Sequence, residues 1–166
     1  MKPHIAVIGA LGLAALTPGA GAQDATYSIR LMTPETALKA AQAAFKSCRD
    51  SGYQVAVAVV DRGGITQVVL RDRFAGAHTP RMAVDKAWTA VSFRTNTMEL
   101  ARITAPGQEA SGLRNRPRVV TLGGGRIVEG GGAILGGIGV SGAPGGNLDD
   151  ACAKAGIAAI KESIEF

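Results

Sequence analysis

His78 is the one imidazole left once an N-terminal leader carrying His4 is set aside, so base or metal chemistry that needs imidazole converges on one loop. The bland reading of a lone loop histidine is a solvated or capping residue. Lys86 and Arg94 stand eight positions apart near one side of the helix that follows. There they either meet an anionic ligand or lie in solvent, with Asp85 as partner. Asp61 precedes Gly63-Gly64, a setting in which an aspartate usually bonds its own backbone in a turn rather than acting as a catalytic carboxylate. Ser141 sits in Gly139-Val-Ser-Gly-Ala143, which is not the G-x-S-x-G elbow of a serine nucleophile. A serine triad based on His78 therefore has no motif behind it.

Cys48 and Cys152 with a single histidine do not make the ligand-spaced pairs that zinc needs. Either the two sulfurs pair, closing a loop of about 100 residues worth up to about 4 to 5 kcal/mol, or they remain buried thiols. Each falls on the apolar stripe of its helix, which favours the thiols. Gly137-Ile-Gly-Val-Ser-Gly142 matches the dinucleotide pattern G-x-G-x-x-G, but Ala143-Pro144 follows it and the context of a second parallel strand is missing. A nicotinamide site is not expected.

The elements that position these residues follow from patterning. Lys2, the apolar run Ile5 to Leu16 and Ala20-Gly-Ala22 read as a signal peptide over residues 1–22, leaving residues 23–166 as one domain that is periplasmic or secreted. After removal the formal charge is +4, the chain's +5 less Lys2. Its basic residues are scattered without interleaved aromatics, so no nucleic-acid surface is expected. The apolar leader is also too short to span a bilayer, so no stable membrane span is expected after cleavage.

Thr33-Pro34 opens an amphipathic helix that runs to Ser51-Gly52. Tyr53 to Val60 and Ile65 to Arg71 read as a hairpin, and the first strand lacks alternation, which places layers on both sides of it. Thr79-Pro80 starts a helix to about Phe93 whose stripe Ala83, Ala87 and Ala90 lets a neighbouring backbone come close. Thr97 to Thr104 reads as a short helix, Ala105 to Pro117 as a loop, and Arg118 to Leu122 as a short strand. Arg126 to Glu129 and Ala133 to Ser141 pair about Gly130-Gly-Gly132, and the glycines inside the second strand imply that something packs tightly against it. Asn147 is expected to cap a last helix.

Val59-Val-Asp-Arg-Gly-Gly64, Asp85-Lys-Ala-Trp-Thr-Ala90, Phe93-Arg94, Gly123-Gly124 through Ile138-Gly-Val-Ser-Gly142, and Asp150-Ala-Cys-Ala153 together resemble the GlcG/HbpS family, from Thr33 to Ile160. The resemblance implies an α+β, profilin-like three-layer α/β/α sandwich with a five-stranded antiparallel sheet, assembled as a homo-oligomer, in many members an octamer. It also implies haem or another tetrapyrrole as ligand, in a family that includes haem-degrading proteins and a domain found beside corrinoid adenosyltransferases. Carried onto this chain, His78 is the candidate metal ligand, with Met82, Met98 and Tyr53 behind it. Arg71, Lys86 or Arg94 would meet the propionates, and Gly123, Gly124 and Ser141 complete the cofactor-binding set. The alternative is an enzyme or sensor for a small, glycolate-like organic acid at a subunit boundary, held by Lys86 and Arg94 with Asp61 as base. Arg126 departs from the family pattern, standing where many relatives have proline.

Overall fold

A computed structural model describes residues 25–165, so the expected signal peptide lies outside the described residues. Helix α1 (Pro34–Asp50) begins where its capping residue dictates: Thr33 Oγ1 accepts the Thr36 amide at 3.3 Å, and Pro34 supplies a first turn that needs no donor. At its far end the Tyr53 amide donates to the Cys48 carbonyl at 2.9 Å and sends the chain toward strand β1 (Ala56–Asp61). Strand β2 (Thr66–Arg71) returns antiparallel, with a bulge at Val59/Val60. In the turn between them Asp61 Oδ1 accepts the Ile65 amide at 2.9 Å, the turn-forming role expected from sequence.

Helices α2 (Thr79–Phe93) and α3 (Thr97–Ile103) follow, then a 3-10 segment (Glu109–Asn115), strands β3 (Gly125–Gly130) and β4 (Ala133–Ser141), and helices α4 (Gly146–Ala158) and α5 (Lys161–Ile164). The sheet runs β2-β1-β4-β3, antiparallel throughout. Helices α1 and α4 cover one face and α2 the other. β1 is buried on both faces, as its unbroken apolar run requires.

The two sides of the sheet are packed differently. Towards α1 and α4 lie Val57, Val59, Ile138 and Val140 with Ala37, Ala40, Ala44 and Ala153. Towards α2 the contacts are small, Ala56 and Ala58 against Ala83, and Val60 against Ala87 and Val91. Two of the three glycines of β4, Gly137 and Gly139, make room for this helix. A Cβ at Gly139 would be driven onto the Ala83 carbonyl oxygen, and one at Gly137 would stand 2.9 Å from the carbonyl oxygen of Ala87. The tight neighbour implied by these glycines is therefore α2 itself.

Three expectations need correcting. The sheet has four strands and not five, because the segment from Arg118 to Leu122 forms none. Arg118 adopts a left-handed φ of 68°, and the Thr89 hydroxyl accepts the Val120 amide at 3.0 Å, so a side chain takes the place of a ladder bond. Cys48 and Cys152 form a disulfide with Cα atoms 5.5 Å apart, rather than two free thiols, because the apolar stripes of α1 and α4 pack against each other. The last helix is capped at Gly145, two residues before the expected Asn147, with no side-chain cap bond. Among the described residues no helix is long and apolar enough to cross a membrane.

Candidate functional site

A cleft of about 710 Å³ opens at the end of the sheet where the chain enters β1 and leaves β4. Its walls come from separate elements: Tyr53 and Gln54 ahead of β1, Phe74 and His78 in the loop before α2, and Met82 and Lys86 on α2. Ser141 ends β4 at the cleft, and the first turn of α4 brings Asp149. Its volume lies within the range of about 300 to 1,000 Å³ usual for ligand sites.

His78 occupies the cap position of α2 with helical backbone angles, and its side chain makes no capping hydrogen bond. Its imidazole is exposed, and among the described residues no hydrogen bond joins it to Ser141. Gly76 makes room for it, since a Cβ there would stand 2.7 Å from His78 Cε1. Beside it Phe74 is 78% exposed and Leu122, on the far rim, 58% exposed. These are two large apolar side chains left in water next to a free imidazole. Arg73 lies with its guanidinium 5.9 Å from the Phe74 ring centroid. An arginine beside an exposed aromatic marks this rim, but the run Arg71-Asp-Arg-Phe74 gave it no periodicity by which to be noticed.

Lys86 is not a surface cation. Its ammonium donates to Asp149 Oδ2 at 2.7 Å and to the Val140 carbonyl at 2.9 Å, inside the base of the cleft. Asp149 also accepts the Ala143 amide at 3.0 Å. Burial lifts the Asp149 carboxyl above its ordinary value, and the Lys86 charge and hydrogen bond, with the Ala143 and Gly142 amides, draw it back only in part. Sequence left Lys86 between an anionic ligand and either solvent or Asp85; its charge is instead taken up within the chain by Asp149, and Asp85 pairs with Arg81 and Arg118.

Of the sequence-chosen residues, His78, Lys86 and Ser141 meet in the cleft, together with the secondary candidates Met82 and Tyr53. Arg71 stays near the loop but spends its guanidinium on the Ala75 carbonyl. Gly123 and Gly124 lie behind the cleft wall and serve packing: a Cβ at Gly123 would strike the Gly146 backbone, and one at Gly124 would stand 2.6 Å from Asp149 Cβ and 3.0 Å from Lys86 Nζ. Arg94 ends α2 and lines a different cavity with Arg62, so it does not join Lys86 around one ligand. Asp61 is held in its turn, away from both. Arg126 finds a reason of its own in Asp150: its Nη1 donates to both carboxylate oxygens, at 3.0 and 2.9 Å, which ties β3 to α4.

Comparison with known proteins agrees with this architecture. The crystal structure of a double mutant of HbpS from Streptomyces reticuli superposes with a TM-score of 0.76 at 42% identity, over 87% of this chain and 97% of that one. The crystal structure of a PduOC:heme complex superposes with a TM-score of 0.74 at 32% identity, over 78% of this chain and 95% of the other. The corrinoid adenosyltransferase PduO of Salmonella typhimurium is 36% identical over 103 residues, 61% of this chain but 31% of PduO. The chain therefore spans less than a third of that enzyme's length. Residues 32–158 match the family described as haem degrading protein HbpS-like, and the chain belongs to that HbpS-like family.

Proposed function

We propose that this domain binds haem, or a closely similar tetrapyrrole, in the cleft between the α2 loop and the first turn of α4, with His78 as the iron ligand. One observation carries the reading: an exposed, uncapped imidazole lines a 710 Å³ cleft together with two exposed apolar side chains, Phe74 and Leu122. A flat, largely apolar ligand would cover both side chains, and a neutral imidazole is a common axial donor to haem iron. Membership of the HbpS-like family and the likeness to a PduOC:heme complex support it.

The residues present fit such a group. His78 would hold the metal, Met82 and Tyr53 lie on the same walls as further donors, and Arg73 at the Phe74 rim would meet a carboxylate. Bound haem would supply the iron and its redox chemistry. The protein supplies an apolar rim that excludes water and a buried Lys86–Asp149 pair that fixes α2, β4 and α4 around the site.

The setting we propose is an exported one, periplasmic or secreted, in a homo-oligomer. The Cys48–Cys152 disulfide suits an oxidising compartment, where such bonds persist. Haem storage, sensing or degradation would each build on this binding step. Titration with hemin followed at the Soret band tests the reading. A saturable change at one hemin per chain is expected, and a change that never saturates overturns it.

A further inference from the structure

At the opposite end of α2 from His78 lies a second cavity of about 230 Å³, lined by Arg62, Ser92 and Arg94 with Val91 and Ile134. It sits between the β1–β2 turn, the C-terminus of α2 and the start of β4. Both arginines are exposed, and among the described residues neither guanidinium has a hydrogen-bond or ion-pair partner. This sets them apart from Arg49, Arg81, Arg102, Arg118 and Arg126, each of which is paired with an acid. Asp61, next to Arg62, has its carboxylate turned to the Ile65 amide.

The backbone under both arginines is fixed. Arg94 holds a left-handed conformation, φ 50° and ψ 40°, while its amide closes the helix onto the Ala90 and Val91 carbonyls. Arg62 follows Asp61 in a turn closed by the Gly64 amide on the Asp61 carbonyl at 3.0 Å. Two guanidinium groups that share one small cavity repel each other, and an anion between them turns that repulsion into two charge-assisted contacts. The cavity is smaller than the roughly 300 Å³ at which drug-sized sites begin, so the anion is small.

We propose that this cavity binds a small oxyanion, a carboxylate or a phosphate, between the forks of Arg62 and Arg94, with the Ser92 hydroxyl as a further donor. The site shares no lining residue with the His78 cleft and does not depend on haem being bound there. It is the place where Arg94 meets an anion, with Arg62 in the position that sequence alone gave to Lys86.

Isothermal titration calorimetry of the full chain with succinate and with inorganic phosphate, at constant ionic strength set by sodium chloride, tests it. Saturable binding of at least one is expected, weakened at least about tenfold in Arg62→Gln and in Arg94→Gln, with hemin titration unchanged in both. Succinate binding more tightly than phosphate assigns a carboxylate whose carbons lie on Val91 and Ile134; the reverse order assigns phosphate. Thermal unfolding checks that the variants fold, and Arg62→Gln, in an exposed turn, decides the matter alone if Arg94→Gln does not. No saturable heat with either anion, or equal binding in the wild type and Arg62→Gln, overturns the proposal.

Discussion

Lys86 Nζ lies 2.7 Å from Asp149 Oδ2, with both side chains almost wholly out of water, at the point where α2, β4 and α4 meet under the cleft. Removing one partner strands a buried charge, which typically costs about 3 to 5 kcal/mol. Lys86→Met should therefore lower the urea midpoint sharply. Adding Asp149→Asn should recover a large part of the loss, because the neutral amide needs no counter-charge and its oxygen still accepts the Ala143 amide. A double variant no more stable than Lys86→Met would show that the pair is not what the single change disturbs.

Asp72 gives the acid side of the stability curve a defined sign. Arg49, by its hydrogen bond first and its charge as well, holds the Asp72 carboxyl below its ordinary value of 3.8. A depressed carboxyl adds stability above its unfolded pKa and loses it as pH falls through the folded one. Asp72→Asn should therefore be less stable at neutral pH and should lose less on going from about pH 5 to about pH 2. Asp149, lifted by burial, carries the opposite sign, its contribution fullest below 3.8 and declining as pH rises through the lifted value. Thermal melts across that window read both.

Gly139→Ala should destabilise by about 1 to 3 kcal/mol or more, since the new methyl has only the Ala83 carbonyl and the α2 backbone to meet. Gly112→Ala, where nothing lies within 4 Å, should be close to neutral. Equal losses at the two positions would contradict the close approach of α2 to β4.

The Cys48–Cys152 bond spans 104 positions, and a loop of that size is worth up to about 4.7 kcal/mol by chain entropy. Cys48→Ser with Cys152→Ser should lose most of this in a urea melt. Without reductant, the unfolded wild type should offer no thiol to alkylation.

Local chemistry was legible in the sequence and long-range chemistry was not. Thr33-Pro34 announced α1, the glycines of β4 announced a tight neighbour, and Asp61 announced a turn, because each acts on its own few residues. His78 could be singled out as a rare imidazole, but its place on a cleft with Phe74, Lys86 and Leu122 needed the fold. Lys86 was left open between an anionic ligand and solvent or Asp85, because its true partner is 63 positions away and α4 had to be placed before the pair existed. The disulfide failed for the same reason: an apolar stripe on each of two helices does not say that the stripes face each other. The fifth strand failed because Arg118 and the Thr89 hydroxyl bend a β-prone segment into irregular backbone, which no pattern of apolar residues reveals.

The central claim is that His78 ligates iron in the cleft, and an absorbance titration with hemin of the wild type beside His78→Ala tests it most directly. The wild type should give a saturable Soret shift, and the variant should lose that shift and bind at least about tenfold more weakly. A Soret spectrum and affinity unchanged in His78→Ala would contradict the account.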